Sequence, residues 1–253
     1  MQAMRRTSIA TGVLFVVATV TALAAAAVVP ALTGTDYLAS VAGHSSRLAA
    51  AALLYLIAAG TSVGIAIALY PLLKTINVGL ALGSVVFRAI EAVFYTVAVV
   101  NLLSILPVGQ QFATAPADDR APIAVVADSL VSARELSTLV GVFAFCTGAL
   151  MYYVLFYRSR LVPRWLSGWG IAAVLTMVIA CLFALFRNNP LTGYTLLILP
   201  IGIQEMVLAA WLLVKGFSVH RRVPGAVAEG SAAPGGATAP VAGPHAGDRV
   251  SAD

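Results

Sequence analysis

Four stretches of the chain run without a single charged side chain: Thr7–Thr35, Leu48–Leu73, Leu136–Tyr157 and Trp165–Phe186. About 20 apolar residues carry an α-helix across the hydrocarbon of a bilayer, so each stretch is long enough to span one. Two more apolar stretches hold isolated charges: Asn77–Ile105 with Arg88 and Glu91, and Gly193–Phe217 with Glu205 in its middle. Lipid leaves no water for free backbone groups, and the period-2 alternation of a transmembrane barrel is absent, so each span must be helical. The expected fold is an all-α, integral membrane six-helix bundle. Its spans fall at about 8–32, 47–73, 77–105, 135–157, 165–187 and 193–217. Composition agrees, with 60% hydrophobic residues, 10% charged and a mean hydropathy of +0.96. A soluble domain carries about 25% charged residues, so a soluble globular protein is excluded.

A net charge of +5 and a pI near 9.5 do not point to nucleic acid, because the basic residues sit at the ends of the apolar stretches. With the N-terminus inside, the inner segments hold Arg5, Arg6, Lys74, Arg158, Arg160, Arg164, Lys215, Arg221 and Arg222, while the outer ones hold Arg47, Arg120, Arg134 and Arg187. That asymmetry is the positive-inside pattern, and an even number of spans places both termini in the cytoplasm. Trp165, Trp169 and Trp211 then fall near the inner interface with Tyr70 and Tyr157, as an aromatic belt. The location expected is the inner (plasma) membrane. A cleavable signal is the rival reading of the first stretch, but its apolar run from Ile9 to Leu32 exceeds an ordinary signal core of 7–15 residues. A retained helix is expected.

The inner connections at Tyr70–Lys74 and Arg158–Arg164 are short, and proline is expected to end a helix there. The longest internal connection, Pro107–Arg134, reads as an outer loop holding Asp118, Asp119 and Asp128. Its apolar part, Pro122–Val131, reads either as an extension of the fourth helix or as a surface segment. Residues 223–253, rich in Ala, Gly and Pro, read as a disordered tail beyond a six-span domain at 1–222. Cys146 and Cys181 lie inside apolar runs and read as small hydrophobes. Gly60 and Gly64 form a G-x-x-x-G step, read as ordinary close helix packing. No convincing repeat relates the two halves.

The informative residues are Arg88, Glu91 and Glu205. A charge in the bilayer costs a few kcal/mol, so such residues turn inward and find partners. Arg88 and Glu91 share a helix face with Ser84 and Tyr95. From a rise of about 1.5 Å per residue, Arg88 lies ~17 Å along the third span from Asn77. Glu205 lies at the same depth on the antiparallel sixth span. Arg88 is therefore expected to pair with Glu205, with Glu91 one turn further out. Two readings follow. One is a buried structural clamp. The other is a binding cluster of Arg88, Glu91, Glu205 and Tyr95 for a proton, ion or small solute, in which Pro200 and Gly202 loosen the sixth helix.

There is no P-loop, H-E-x-x-H or G-x-S-x-G, and no two of His44, His220 and His245 share a span. No catalytic residue, metal site or cofactor is expected. Ala68–Lys74, the Phe87-Arg88-x-x-Glu91 step, Tyr157–Leu166 and the ending from Glu205 through Trp211-Leu212-Leu213-Val214-Lys215-Gly216 resemble the bacterial domain-of-unknown-function family 4386. The resemblance covers about Arg5 to Phe217, is weakest at Pro107–Arg134, and implies a multi-pass bacterial inner-membrane protein with no assigned activity. The expected function is that of a non-enzymatic membrane protein that supports or senses the envelope; a carrier of protons or a small solute is the alternative. Its partners are the lipid bilayer and, beyond it, a second copy or another membrane protein.

Overall fold

The structure is a computed structural model and describes residues 2–34 and 37–218. The 223–253 segment expected as a tail lies outside the described residues. Seven α-helices are present among the described residues: α1 (Gln2–Val28), α2 (Tyr37–Gly43), α3 (Ser45–Leu73), α4 (Val78–Thr114), α5 (Arg120–Ser159), α6 (Arg164–Arg187) and α7 (Thr195–Val214). Turns of 3-10 helix at Ala117–Asp119 and Leu191–Tyr194 lead into α5 and α7. All but α2 belong to segments long and apolar enough to cross a membrane, which makes the chain a multi-pass membrane protein.

The six long helices form a closed ring in chain order, each packing on its neighbour, with α7 returning to α1. Within the ring α5 is the inner helix. In its most apolar stretch 67% of residues are buried by protein, and no other span exceeds 39%. The outer faces present Leu23, Val93, Phe186 and Leu196, which suits a lipid solvent.

Small and polar residues close the ring between α1 and α7. A side chain at Gly12 would meet Leu213 Cγ at 2.9 Å and the Ala209 carbonyl at 3.1 Å. Ser8 Oγ donates to the Leu212 carbonyl at 2.7 Å, and Arg5 Nη2 donates to the Leu213 carbonyl at 2.7 Å. These bonds satisfy carbonyls that the last turn of α7 leaves free. Gly216, at φ 75°, lets its amide reach back to the Trp211 carbonyl. The start of α1 and the end of α7 therefore lie at the same end of the bundle.

The main correction concerns Pro107–Arg134. It is not a loop. The third span continues through Pro107 to Thr114, and the fourth begins at Arg120 rather than near 135. The two helices have 37 and 40 residues, about 55 and 60 Å at 1.5 Å per residue, against about 30 Å of hydrocarbon. They form a protruding hairpin because a second small core holds it together: Leu38, Val41, Leu48, Leu102, Ile105 and Ala127 bury one another where α2 lies against α4. A side chain at Gly109 would stand 2.9 Å from the Leu38 carbonyl, so glycine permits that approach. Tyr37 locks α2 onto α5, donating from its hydroxyl to Asp128 at 2.7 Å.

Smaller corrections concern where helices begin and end. The first span starts at Gln2 and stops at Val28, and the sixth covers Thr195–Val214. Pro71 lies inside the last turn of α3, which ends two residues later at Leu73, within the expected Tyr70–Lys74 connection. Asn77 then caps α4, its side chain accepting from the Leu80 amide at 2.9 Å. Gly64 faces Leu14 on α1, while Gly60 faces open space. Cys146 and Cys181 are free thiols buried in the main core.

Candidate functional site

Arg88 lies in the middle of the ring and is 2% exposed, as is Glu91 one turn along α4. A buried ion without partners is very costly, and here four helices answer the guanidinium. Its Nη1 donates to Glu91 Oε2 at 3.1 Å and to Ser62 Oγ of α3 at 2.8 Å. Ser62 in turn donates to Glu91 Oε2 at 2.9 Å, closing a three-membered cycle. Nη2 donates to the Tyr152 hydroxyl of α5 at 2.9 Å and lies 3.7 Å from Glu205 Oε1 of α7. The guanidinium also stacks on Phe145, 4.4 Å from the ring centroid. Only its Nε lacks a hydrogen-bond partner.

The approach of α4 to α5 that allows this depends on two glycines. A side chain at Gly148 would stand 3.2 Å from Phe87 Cβ and 3.4 Å from Arg88 Cγ, and one at Gly141 would strike the Tyr95 ring at 2.8 Å. Deeper toward the Arg5 end, Tyr153 donates to Gln204 Oε1, and Gln204 Nε2 donates to the Leu166 carbonyl at 3.1 Å. This second link ties α5, α6 and α7.

Arg88 thus holds Glu91 closely and Glu205 loosely. Tyr95 stands apart from them: the hydrogen-bonded cycle uses Ser62 and Tyr152, and Tyr95 faces a cavity instead. Nothing in the sequence singled out Ser62, Tyr152 or Tyr153, since serine and tyrosine are ordinary in apolar helices.

That cavity measures about 290 Å³ and lies between α1, α3, α4, α5 and the α6–α7 connection. Ala22, Ala58, Ala98, Val99, Leu102 and Leu191 give it apolar walls; Tyr55, Tyr95, Thr138, Arg134 and Glu135 supply polar groups. Its deepest residues on α3 and α4, Ala58 and Tyr95, each lie four positions from Ser62 and Glu91. The floor is therefore about 6 Å above the charged cycle. A second cavity of about 240 Å³ lies between α5 and the end of α6, sharing Glu135, Pro190 and Leu191 with the first. Neither cavity is lined by Arg88, Glu91 or Glu205.

Comparison with curated proteins and with solved structures finds no match. The model of one family, described as a domain of unknown function (DUF4386), matches residues 10–216. That match reaches all six long helices, omitting only the first turns of α1, and includes the charged cycle and the cavity; the chain belongs to this family.

Proposed function

We propose that this chain is a non-enzymatic sensing protein of the plasma membrane that binds a small ligand in the cavity above its charged cycle. The single observation that carries the reading is the division of labour inside the ring. The charges are consumed in cross-links between helices, while a separate cavity with apolar walls and a few convergent polar groups stands one turn away. Such a cavity is the usual form of a small-molecule site. Tyr95 is the link, because it lines the cavity and lies one turn from Glu91. Orientation follows from charge. Arg5, Arg6, Lys74, Arg158, Arg160, Arg164 and Lys215 gather at one end, and Asp118, Asp119, Asp128 and Glu135 lie toward the other. The basic end is cytoplasmic under the positive-inside rule, so the cavity lies toward the outer face.

The test is thermal melting of the purified protein in nanodiscs against a panel of small amphiphiles, with Ala98→Phe as the filled-cavity control. A ligand at 100 times its Kd stabilises the folded state by about 2.7 kcal/mol. Binders should raise the melting temperature of the wild type and leave Ala98→Phe unmoved. A panel that moves neither protein would end the reading.

One observation favours a carrier as the second reading. The Glu205 side chain keeps 14% exposure while those of Arg88 and Glu91 keep 3%. Proton or solute flux into proteoliposomes that Glu205→Gln abolishes would establish the carrier in place of the sensor.

A further inference from the structure

The cavity holds two charges that the clamp does not use. Arg134 is half-buried, and its guanidinium lies over the Tyr55 ring, 5.8 Å from the centroid, which keeps it at the cavity wall. Glu135 follows it on α5 and lines the same space from an exposed position at its rim. Among the described residues both ion pairs belong to Arg88, so neither Arg134 nor Glu135 is neutralised by a described neighbour. We propose that this cavity takes a zwitterion of amino-acid size, with its carboxylate on Arg134, its ammonium on Glu135 and its apolar side chain against Tyr95, Val99 and Leu102. The inference rests on the cavity being the ligand site, as argued above.

Charge and size select the class. A monoanion would satisfy Arg134 but bring a carboxylate beside Glu135, and a monocation would repeat the conflict with Arg134. A wholly apolar molecule would strip water from the half-buried Arg134 and return nothing. A zwitterion answers each with a charge-assisted hydrogen bond. At about 290 Å³ the space lies at the bottom of the range of small-molecule sites, too small for a phospholipid or a peptide. Beyond the charged pair the walls are mostly aliphatic and aromatic, with Thr138 and Thr192 among them, which favours a branched or aromatic apolar group over a charged one.

The experiment is isothermal titration of the full chain, in nanodiscs of electrically neutral lipid, with L-leucine and L-phenylalanine. Two half-ligands of the leucine skeleton are titrated alongside: 4-methylpentanoate, which lacks the amine, and 3-methylbutylamine, which lacks the carboxylate. Saturable binding of leucine or phenylalanine is expected, with each half-ligand weaker by about tenfold or more. Arg134→Gln and Glu135→Gln should each weaken the amino acid by a similar factor, and Arg120→Gln, on the hairpin tip, should leave it unchanged. Melting curves check that the variants fold. Should Arg134→Gln fail to fold, Arg134→Lys and the half-ligands still read the same two charges. Equal binding of 4-methylpentanoate and leucine would overturn the zwitterion. So would apolar amphiphiles that stabilise the wild type but not Ala98→Phe while no amino acid binds, leaving the cavity as a site of another class. If no ligand of any kind moves the protein, both readings fail together.

Discussion

At the scale of single residues, Arg88 is the most consequential side chain in the bundle. It donates to Ser62 on α3, Glu91 on its own helix and Tyr152 on α5, and it faces Glu205 on α7. Removing one member of a buried pair leaves the other uncompensated and costs about 3–5 kcal/mol, while removing both can be close to neutral. Arg88→Met should therefore destabilise the purified protein by that amount in equilibrium denaturation. Glu205→Gln should cost less, because the separation is 3.7 Å and the carboxylate is partly exposed. Adding Glu91→Gln to Arg88→Met should recover stability; a double variant as weak as the sum of its singles would show that the cycle is not a coupled unit. The charged half of this cluster was legible in the sequence because charge in lipid is expensive and must be answered. Its neutral half was not: Ser62 and Tyr152 carry no such penalty, and only the crossing of α3, α4 and α5 brings them to the guanidinium.

The elements differ most from expectation on the acidic side of the bundle. Asp118, Asp119, Arg120, Asp128, Pro107 and Pro122 are features of a connection, and a connection between spans was the natural reading. Yet α4 and α5 continue past the hydrocarbon as a hairpin, because each offers the other an apolar face and α2 covers part of the exposed remainder. Tyr37 is the latch of that cover. Burial first, and then the bond to Asp128, raise its hydroxyl above the usual range near 10. A group raised by folding contributes stability below its unfolded pKa and loses it as pH climbs through the folded value. The latch should therefore hold at neutral pH and release α2 only above about pH 10. Hydrogen exchange over residues 37–43 would follow the release. Tyr37→Phe should raise exchange there at neutral pH, at a cost of about 1 kcal/mol in local stability, and abolish the alkaline step. Exchange that ignores both pH and the substitution would show that apolar contacts alone seat α2.

For the whole molecule, closure of the ring between α1 and α7 is what makes an interior. Sequential helices joined by short turns pack side by side almost by necessity, but the first and last must find each other across the full length of the chain. Gly12 lets the two backbones approach, Ser8 and Arg5 take up the free carbonyls of α7, and the far ends of the ring then enclose the cavity. Gly12→Val should force α1 off α7. The expected result is a melting temperature lowered by several degrees, equivalent to about 1–3 kcal/mol of overpacking, with the same helix content by circular dichroism. Insertion into membranes should be unchanged, since hydropathy decides it. An unaltered melting curve would mean that the seam is looser than its contacts indicate.

The amino-acid sequence by itself determined that the chain is helical, that it has six spans and that a few charges must turn inward. Each of these follows from transfer of local segments between water and lipid, a property of composition and length alone. It did not determine that a presumed loop is a helical hairpin, that Tyr95 leaves the charged cluster for a cavity, or that Arg134 and Glu135 share that cavity. Those depend on which faces meet and how closely, set by glycines such as Gly109, Gly141 and Gly148 and by contacts between segments distant in the chain. Because lipid is as apolar as the helices themselves, hydropathy carries no information about those contacts, and packing and hydrogen bonding in the folded bundle decided them.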